Sequence, residues 1–303
     1  MLSVAGLTRR FGDQLALDDV TFDVVPGRMT GFVGANGAGK TTTMRIILGV
    51  LAASSGEVSW NGGPLTQTIR SDFGYMPEER GLYPRMVLEE QLLYFAQLKG
   101  MGRAEALRRL GPWLERLGLA DWRKRKLNEL SKGMQQKAQF IATVLHDPEI
   151  LILDEPMSGL DPVGMNVMRD VLLDQRKLGK TLVLSSHQME TVERLCDAIA
   201  LINRGRKLLD GPVSEVKGRY GANTVALAYE GDGSFLAGLP GVKAVSDSGR
   251  YVEIQLVEGA DPQVVLREAA TRLRVSRFEV IEPSLHDIFV QVVTTHGKGE
   301  EAA

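Results

Sequence analysis

A chain of 303 residues has room for about two domains, and 44% hydrophobic with 24% charged residues is the balance of a folded globular protein. A net charge of −2 leaves no global basic field to recruit nucleic acid, and the one cysteine, Cys196, excludes an intrachain disulfide and suits a reducing cytoplasm. No apolar run approaches the roughly 18 residues that span a bilayer, and no h-region follows Arg9-Arg10, so any membrane part of the function is expected on another chain.

Residues 2–8 predict a strand. Phe11 sits at a Gly-Asp turn, where an aromatic ring either stacks on a nucleobase or joins the core. Leu17–Val25 predicts a second strand, closed by Pro26-Gly27, and Met29–Val33 a short buried one. The next stretch, Gly34 to Thr42, fits G-x-x-x-x-G-K-[ST] with a strand before it and a helix over 41–51 after it. Glycines there let backbone N–H groups close around a phosphate chain, and the helix N-terminus faces the same anion. Asn36, Gly37, Ala38, Gly39, Lys40, Thr41 and Thr42 are therefore expected around bound phosphates. Lys40 would reach the β- and γ-phosphates, and the Thr41 hydroxyl would bind Mg²⁺.

Residues 56–62 and 72–76 predict two more strands, and residues 80–147 turn mostly helical. Leu88–Leu98 has helical spacing. Leu107, Leu110, Leu114 and Leu117 form a stripe that Gly111-Pro112 should kink or split. Arg123 to Lys126 is a run of four basic residues, read as a solvated loop because no aromatic platform accompanies it. From Leu130-Ser131-Lys132-Gly133 a helix opens, with Met134, Ala138, Ile141, Ala142 and Leu145 on one face. Ile150–Leu153 is an unbroken apolar run, the pattern of a parallel strand buried on both faces, and it ends at Asp154-Glu155. Carboxylates at the C-terminal end of such a strand lie where open α/β sheets bind ligands, and Asp154 is the expected second Mg²⁺ contact of a phosphate-loop protein.

Pro162 starts a helix to about Leu178, with Val163, Val167, Val171 and Leu172 on one face. Thr181–Leu184 is another buried strand, and it brings His187 to the same end as Asp154 and Glu155. Residues 198–202 and 207–209 add strands. From Ala222 the order is strand 223–229, helix 234–239, strands 242–247 and 251–257, helix 261–273, strand 275–281 and helix 284–293. This split βαβ order predicts a ferredoxin-like unit, with Ser248-Gly249 as the turn between its middle strands. It holds no catalytic cluster, and His286 reads as helix surface or packing.

Taken together, residues 2–217 resemble the ATP-binding-cassette (ABC) ATPase domain. Gly34–Thr42 looks like its Walker A loop, Leu130 to Met134 its signature, Ile150–Asp154 its Walker B strand, and Ser158-Gly159-Leu160-Asp161 its D-loop. The expected fold is thus an α/β P-loop ATPase core over 1–217 with a helical subdomain at about 80–147. A small α+β ferredoxin-like domain over 222–293 and a disordered tail over 294–303 complete it. The resemblance gives Glu155 the part of polarising the attacking water and His187 that of holding the γ-phosphate, and it gives Phe11 the part of stacking on adenine. It implies ATP and Mg²⁺ as ligands. It also implies a second copy of the chain, with Ser131 and Gly133 of one copy addressing the ATP held by the other.

Two departures stand out. Lys132 and Met134 replace the family's Gly and Gln in the signature, and Glu78 replaces the Q-loop glutamine, which would put a third carboxylate near Asp154 and Glu155 as a Mg²⁺-side contact. The stretches Ser131–Lys137, Pro77–Tyr83 and Pro283–Phe289 look like the ATPase subunits of ABC exporters similar to bacterial sodium-export and drug-efflux systems. That implies a cytoplasmic ATPase held at the inner face of the cell membrane by a separate permease, which would dock near residues 78–100. A soluble ABC ATPase acting on ribosomes or DNA is the competing reading. The chain has one Walker A loop, and only 91 residues, without sustained heptads, separate Lys40 from Ser131; both facts argue against it.

Overall fold

Gly12-Asp13 turns strand β1 (Leu2–Phe11) back into β2 (Gln14–Val24), and the two pair antiparallel with Phe11 opposite Gln14. The computed structural model describes residues 1–300 apart from Arg80, residues 221–223, Ser248, Arg250, Glu258 and Glu282; the side chains of residues 295–300 and all of residues 301–303 also lie outside the description. The expected Ser248-Gly249 turn, and Arg80 within the exporter-like stretch, fall on those positions. Two units divide the chain, Met1–Gly211 and Pro212–Ala303. Expectation had put the end of the first unit at 217 and the start of the second at 222; helix 213–219 thus falls with the second unit.

Beyond the first hairpin come β3 (Met29–Val33), α1 (Lys40–Ile47), β4 (Ser55–Trp60), β5 (Gly63–Pro64), α2 (Gln67–Ser71) and β6 (Gly74–Met76). The helical stretch holds α3 (Leu88–Leu98), α4 (Arg103–Arg116) and α5 (Lys132–Val144). Then follow β7 (Ile150–Asp154), α6 (Pro162–Lys177), β8 (Thr181–Ser186), α7 (Met189–Leu195), β9 (Ala198–Asn203) and β10 (Arg206–Pro212). One sheet has the order β2-β1-β4-β5, and a second the order β10-β9-β3-β8-β7-β6. Every residue of β3, β7 and β8 is buried, as their apolar runs require for strands covered on both faces. The parallel register sets Val33 beside Ser186 and Asp154 beside Ser185, so three strands end level with one another. The phosphate loop, the two carboxylates and the residues before His187 therefore open from a single sheet edge.

Two helices depart from expectation. Pro112 lies inside a continuous α4, so of the kink or split expected there the split does not occur. Proline removes the donor for the Arg108 carbonyl, but Pro112 and Arg108 both sit on the exposed side, where water replaces that donor. The buried stripe is Ala106, Leu110 and Leu114, with Leu107 turned half out. In α6 the buried face is Gly164, Met168, Val171, Leu172 and Gln175, whereas Val163, placed on that face by spacing, is 70% exposed.

In the second unit, α8 (Val213–Arg219) precedes β11 (Thr224–Glu230), β12 (Val242–Asp247), β13 (Val252–Leu256), α9 (Pro262–Arg272), β14 (Arg274–Ile281) and α10 (Leu285–Glu300). The sheet order is β12-β13-β11-β14 with every pairing antiparallel, which is the ferredoxin-like arrangement. Its first helix shrinks to a 3₁₀ turn at Ser234–Gly238. Val225, Leu227, Ile254 and Leu256 meet Leu236, Val265 and Ala269 to form the core. α10 carries helical backbone to Glu300, and its stripe Leu285, Ile288 and Val292 is buried.

Candidate active site

A cavity of about 720 Å³ opens at the level strand ends of the first unit. Asn36, Gly37, Gly39, Lys40, Thr41 and Thr42 form its floor, Asp154, Glu155 and Glu78 one flank, and Phe11, Leu15 and Gly205 the other. Glycine is required at two of these turns. A Cβ on Gly34 would stand 2.2 Å from the Ile202 carbonyl oxygen, and Gly39 has φ +110° with Leu17 pressed against it. The second makes Gly39 the left-handed residue before α1, so the helix begins at Lys40 with its N-terminal amides facing the cavity. Ala38 is the exception among the expected phosphate residues. It is buried outside the lining, and its N–H donates to the Ala35 carbonyl at 3.1 Å.

Lys40 is 7% exposed and donates from Nζ to the carbonyls of Gly34 at 2.8 Å and Ala35 at 3.1 Å. Burial lowers its pKa from the ordinary lysine value, while Glu155, Asp154 and Glu78 act in the opposite direction. A cation thus sits between three carboxylates and the phosphate loop. Thr41 Oγ1 donates to Asp154 Oδ2 at 2.7 Å. His187 donates its N–H to Glu155 Oε1 at 3.0 Å, and its Nδ1 lies 2.9 Å from the same oxygen. The phosphate loop thus meets Asp154, and Glu155 meets His187, at the strand ends.

Phe11 is 46% exposed and belongs to the cavity wall, not the core, with the Arg9 guanidinium over its ring at 4.5 Å. Glu78 shares the wall with Asp154 and Glu155, which brings the third carboxylate to the site. Ser131 and Gly133 do not line it. Ser131 caps α5, accepting from the Met134 N–H at 3.3 Å, and is itself exposed.

Three contributors escaped sequence reasoning. Ser185 donates to Asp154 Oδ1 and accepts the Glu155 N–H. Gln136 reaches the carbonyls of Glu155 and Pro156, and Gln139 those of Pro77 and Glu79. The signal for the glutamines was present: both are polar residues on the buried face of an amphipathic helix, which must find partners. The basic run is also accounted for. Arg123 and Lys124 pair with the buried Glu89, and Arg125 with Glu129, so three of its four charges are met within the chain.

Comparison with known proteins gives the same picture. Residues 17–158 match the ABC transporter family, and residues 211–293 match the C-terminal domain of ATP-binding proteins of the DrrA1-3 type. The chain is 42% identical over 293 residues to YhaQ of Bacillus subtilis, an uncharacterized ABC transporter ATP-binding protein, covering 97% of this chain and 98% of that one. It is 30% identical over 304 residues to the linearmycin resistance ATP-binding protein LnrL of the same organism, covering 96% and 98%. A solved ATP-binding subunit of an ABC transporter superposes with a TM-score of 0.68 at 35% identity, covering 73% of this chain and 93% of that one. CbiO1 of Clostridium perfringens, part of the ABC transporter complex CbiONQ, does so with a TM-score of 0.63 at 26% identity, covering 71% and 89%. With a phosphate loop, a paired Asp154 and a poised Glu155 on one sheet edge, the chain belongs to the ABC transporter ATP-binding proteins and is the ATP-hydrolysing subunit of a transporter.

Proposed function

We propose that this ATPase drives an exporter, that it works as two copies enclosing ATP, and that a separate permease holds it at the inner face of the cell membrane. The observation that carries the proposal is the position of Ser131 and Gly133. They stand at the N-terminus of α5, outside the lining of the cavity that holds Lys40 and Glu155. Each chain thus holds half of two sites, and a second copy completes them. ATP closes the pair, and hydrolysis removes the contact that held it.

In the closed site the Glu155 carboxylate takes the proton of the attacking water, His187 holds the γ-phosphate, and Phe11 stacks on the base. The oxygen donors beside the phosphate loop fit Mg²⁺, which binds through one or two protein oxygens and keeps the rest of its shell from water and phosphate. Thr41 Oγ1 at the floor and Asp154 Oδ2 on the flank converge, with Glu78 on the same flank. When bound, that ion neutralises charge developing on the phosphates.

Support for export comes from the relatives, whose names include linearmycin resistance and Nod factor export. Support for a protein partner near residues 78–100 comes from Tyr83, Tyr94 and Leu98. They are 55%, 41% and 64% exposed around Phe95, an apolar patch shared by α3 and the loop before it.

The test is a pull-down of tagged Glu155→Gln from detergent-solubilised native membranes with ATP present. Loss of general-base help, typically worth about 10²–10⁴ in rate, should leave a variant that binds ATP, pairs and turns over little. Recovery of a multi-span membrane protein is the expected outcome. Ribosomal or DNA-repair proteins without a membrane partner would overturn the transporter assembly, and near-normal turnover would overturn the role of Glu155.

A further inference from the structure

Glu155 has φ +49°, a left-handed conformation that a residue with a Cβ keeps only where its surroundings over-determine it. Here they do. Its carbonyl accepts from Gln136 Nε2 at 3.2 Å, and its carboxylate accepts from the His187 N–H at 3.0 Å. Its N–H donates to Ser185 Oγ at 3.0 Å. The same hydroxyl gives its proton to Asp154 Oδ1. Asp154 and Ser185 are direct partners in the parallel ladder of β7 and β8, so the contact is built into the register.

Ser185 is 0% exposed, so no solvent molecule stands ready to replace its hydroxyl. One oxygen of Asp154 is consequently taken, and the other, Oδ2, is the one turned to Thr41 at 2.7 Å. A single side chain thus settles which aspartate oxygen faces the cavity and where the backbone of the next residue turns.

We infer that Ser185 is a positioning residue for hydrolysis: its hydroxyl locks the Asp154 carboxylate and the Glu155 backbone into one fixed relation. Buried outside the cavity lining, it acts through the two carboxylates. The inference rests on the assignment of Glu155 as the base. A hydroxyl that merely satisfied buried atoms would influence stability and leave the rate of the folded protein alone.

The test compares Ser185→Thr with Ser185→Val in the full-length protein. The two side chains have nearly the same shape and differ in the hydroxyl, so packing changes cancel between them. Ser185→Val should show kcat about tenfold lower than Ser185→Thr, with KM for ATP within about threefold, since the phosphate loop is untouched. A readout apart from turnover is Mn²⁺ binding in the presence of ADP, followed by electron paramagnetic resonance. Affinity should be severalfold weaker in Ser185→Val than in Ser185→Thr.

Equal kcat and equal Mn²⁺ affinity in the two variants would overturn the inference. If both branched side chains prevent folding, Ser185→Ala, which adds no volume, must show the same loss of kcat and of Mn²⁺ affinity against wild type, and an unchanged pair of values overturns the inference equally. Glu155→Gln separates the two layers. Turnover in that variant breaks the base assignment, whereas an inactive Glu155→Gln beside matching Ser185 variants breaks only the role of Ser185.

Discussion

The two units bury different things. All of the buried polar and charged side chains in the described residues, from Thr30 to Ser186, belong to the unit 1–211, and none belongs to the unit 212–303. Lys40, Asp154, Glu155, Ser185, Gln136 and Gln139 account for the group around the cavity, and each has a hydrogen-bond partner. The second unit closes its sheet over a fully buried aliphatic cluster, with Tyr229, Phe235 and Phe278 packed against it, and its ion pairs Arg272–Glu268 and Arg277–Glu279 lie on the surface. Burying a polar group costs free energy unless it is bonded, so a fold retains such groups where their placement matters. By that measure the first unit is built around chemistry and the second around shape.

The contrast can be broken from the second unit. Ile254 is 0% exposed at the centre of its core, and Ile254→Ala should cost about 2–5 kcal/mol there. Hydrogen exchange should accelerate in peptides spanning residues 224–281 while ATP turnover stays within about twofold. A matching fall in turnover would show that the second unit takes part in hydrolysis and that the division by burial misleads.

A smaller effect is expected from His146 of the first unit, whose pKa burial lowers from 6.5 to about 4, with the nearby Lys99 charge adding to the shift. The unfolded chain takes up this proton near pH 6.5 and the folded chain only near 4, so within that window the unfolded state binds more protons. Stability should therefore fall as pH drops from 6.5 to about 4, by at most about 3 kcal/mol. Urea denaturation of the first unit at a series of pH values reads it, and His146→Gln should flatten that part of the curve. An unchanged slope in the variant would assign the acid sensitivity to other groups.

The smallest expected effect is at Glu78. It lines the cavity with Asp154 and Glu155, but among the described residues no hydrogen bond fixes it as Ser185 fixes Asp154. Glu78→Ala should raise the Mg²⁺ concentration needed for half-maximal ATPase rate without abolishing turnover. No change in that midpoint or in the rate would remove Glu78 from the site and sharpen the distinction between held and merely adjacent carboxylates.

Much of the first unit was legible because its signals are local. Met29–Val33 and Ile150–Leu153 read as buried strands from unbroken apolar runs, and the glycines of residues 34–39 announce a turn that no other residue fits. His187 could be placed because strand ends in one sheet gather at one edge. What local pattern misses is whatever depends on a partner far along the chain. The hydroxyl of Ser185 acquires its part only through a register that sets it against Asp154. Val163 has the spacing of a core residue, yet α6 is rotated so that Gly164 takes the buried position. Pro112 reads as a kink or a split, but whether a lost hydrogen bond ends the helix depends on which side of α4 faces water, and that is decided by packing.

Cys196 is the one cysteine of the chain, 8% exposed in the core of the first unit, where burial pushes its thiol well above the usual range. Only a thiolate attacks maleimides and iodoacetamides at useful rates, so this sulfur stays silent in a labelling reaction. The natural sequence is therefore already a background for site-directed spectroscopy. A cysteine introduced at exposed Val163, beside the D-loop, could carry a spin label or dye with no need to remove the native one. In the two-copy assembly proposed above, distances between such labels on separate copies would report opening and closing directly.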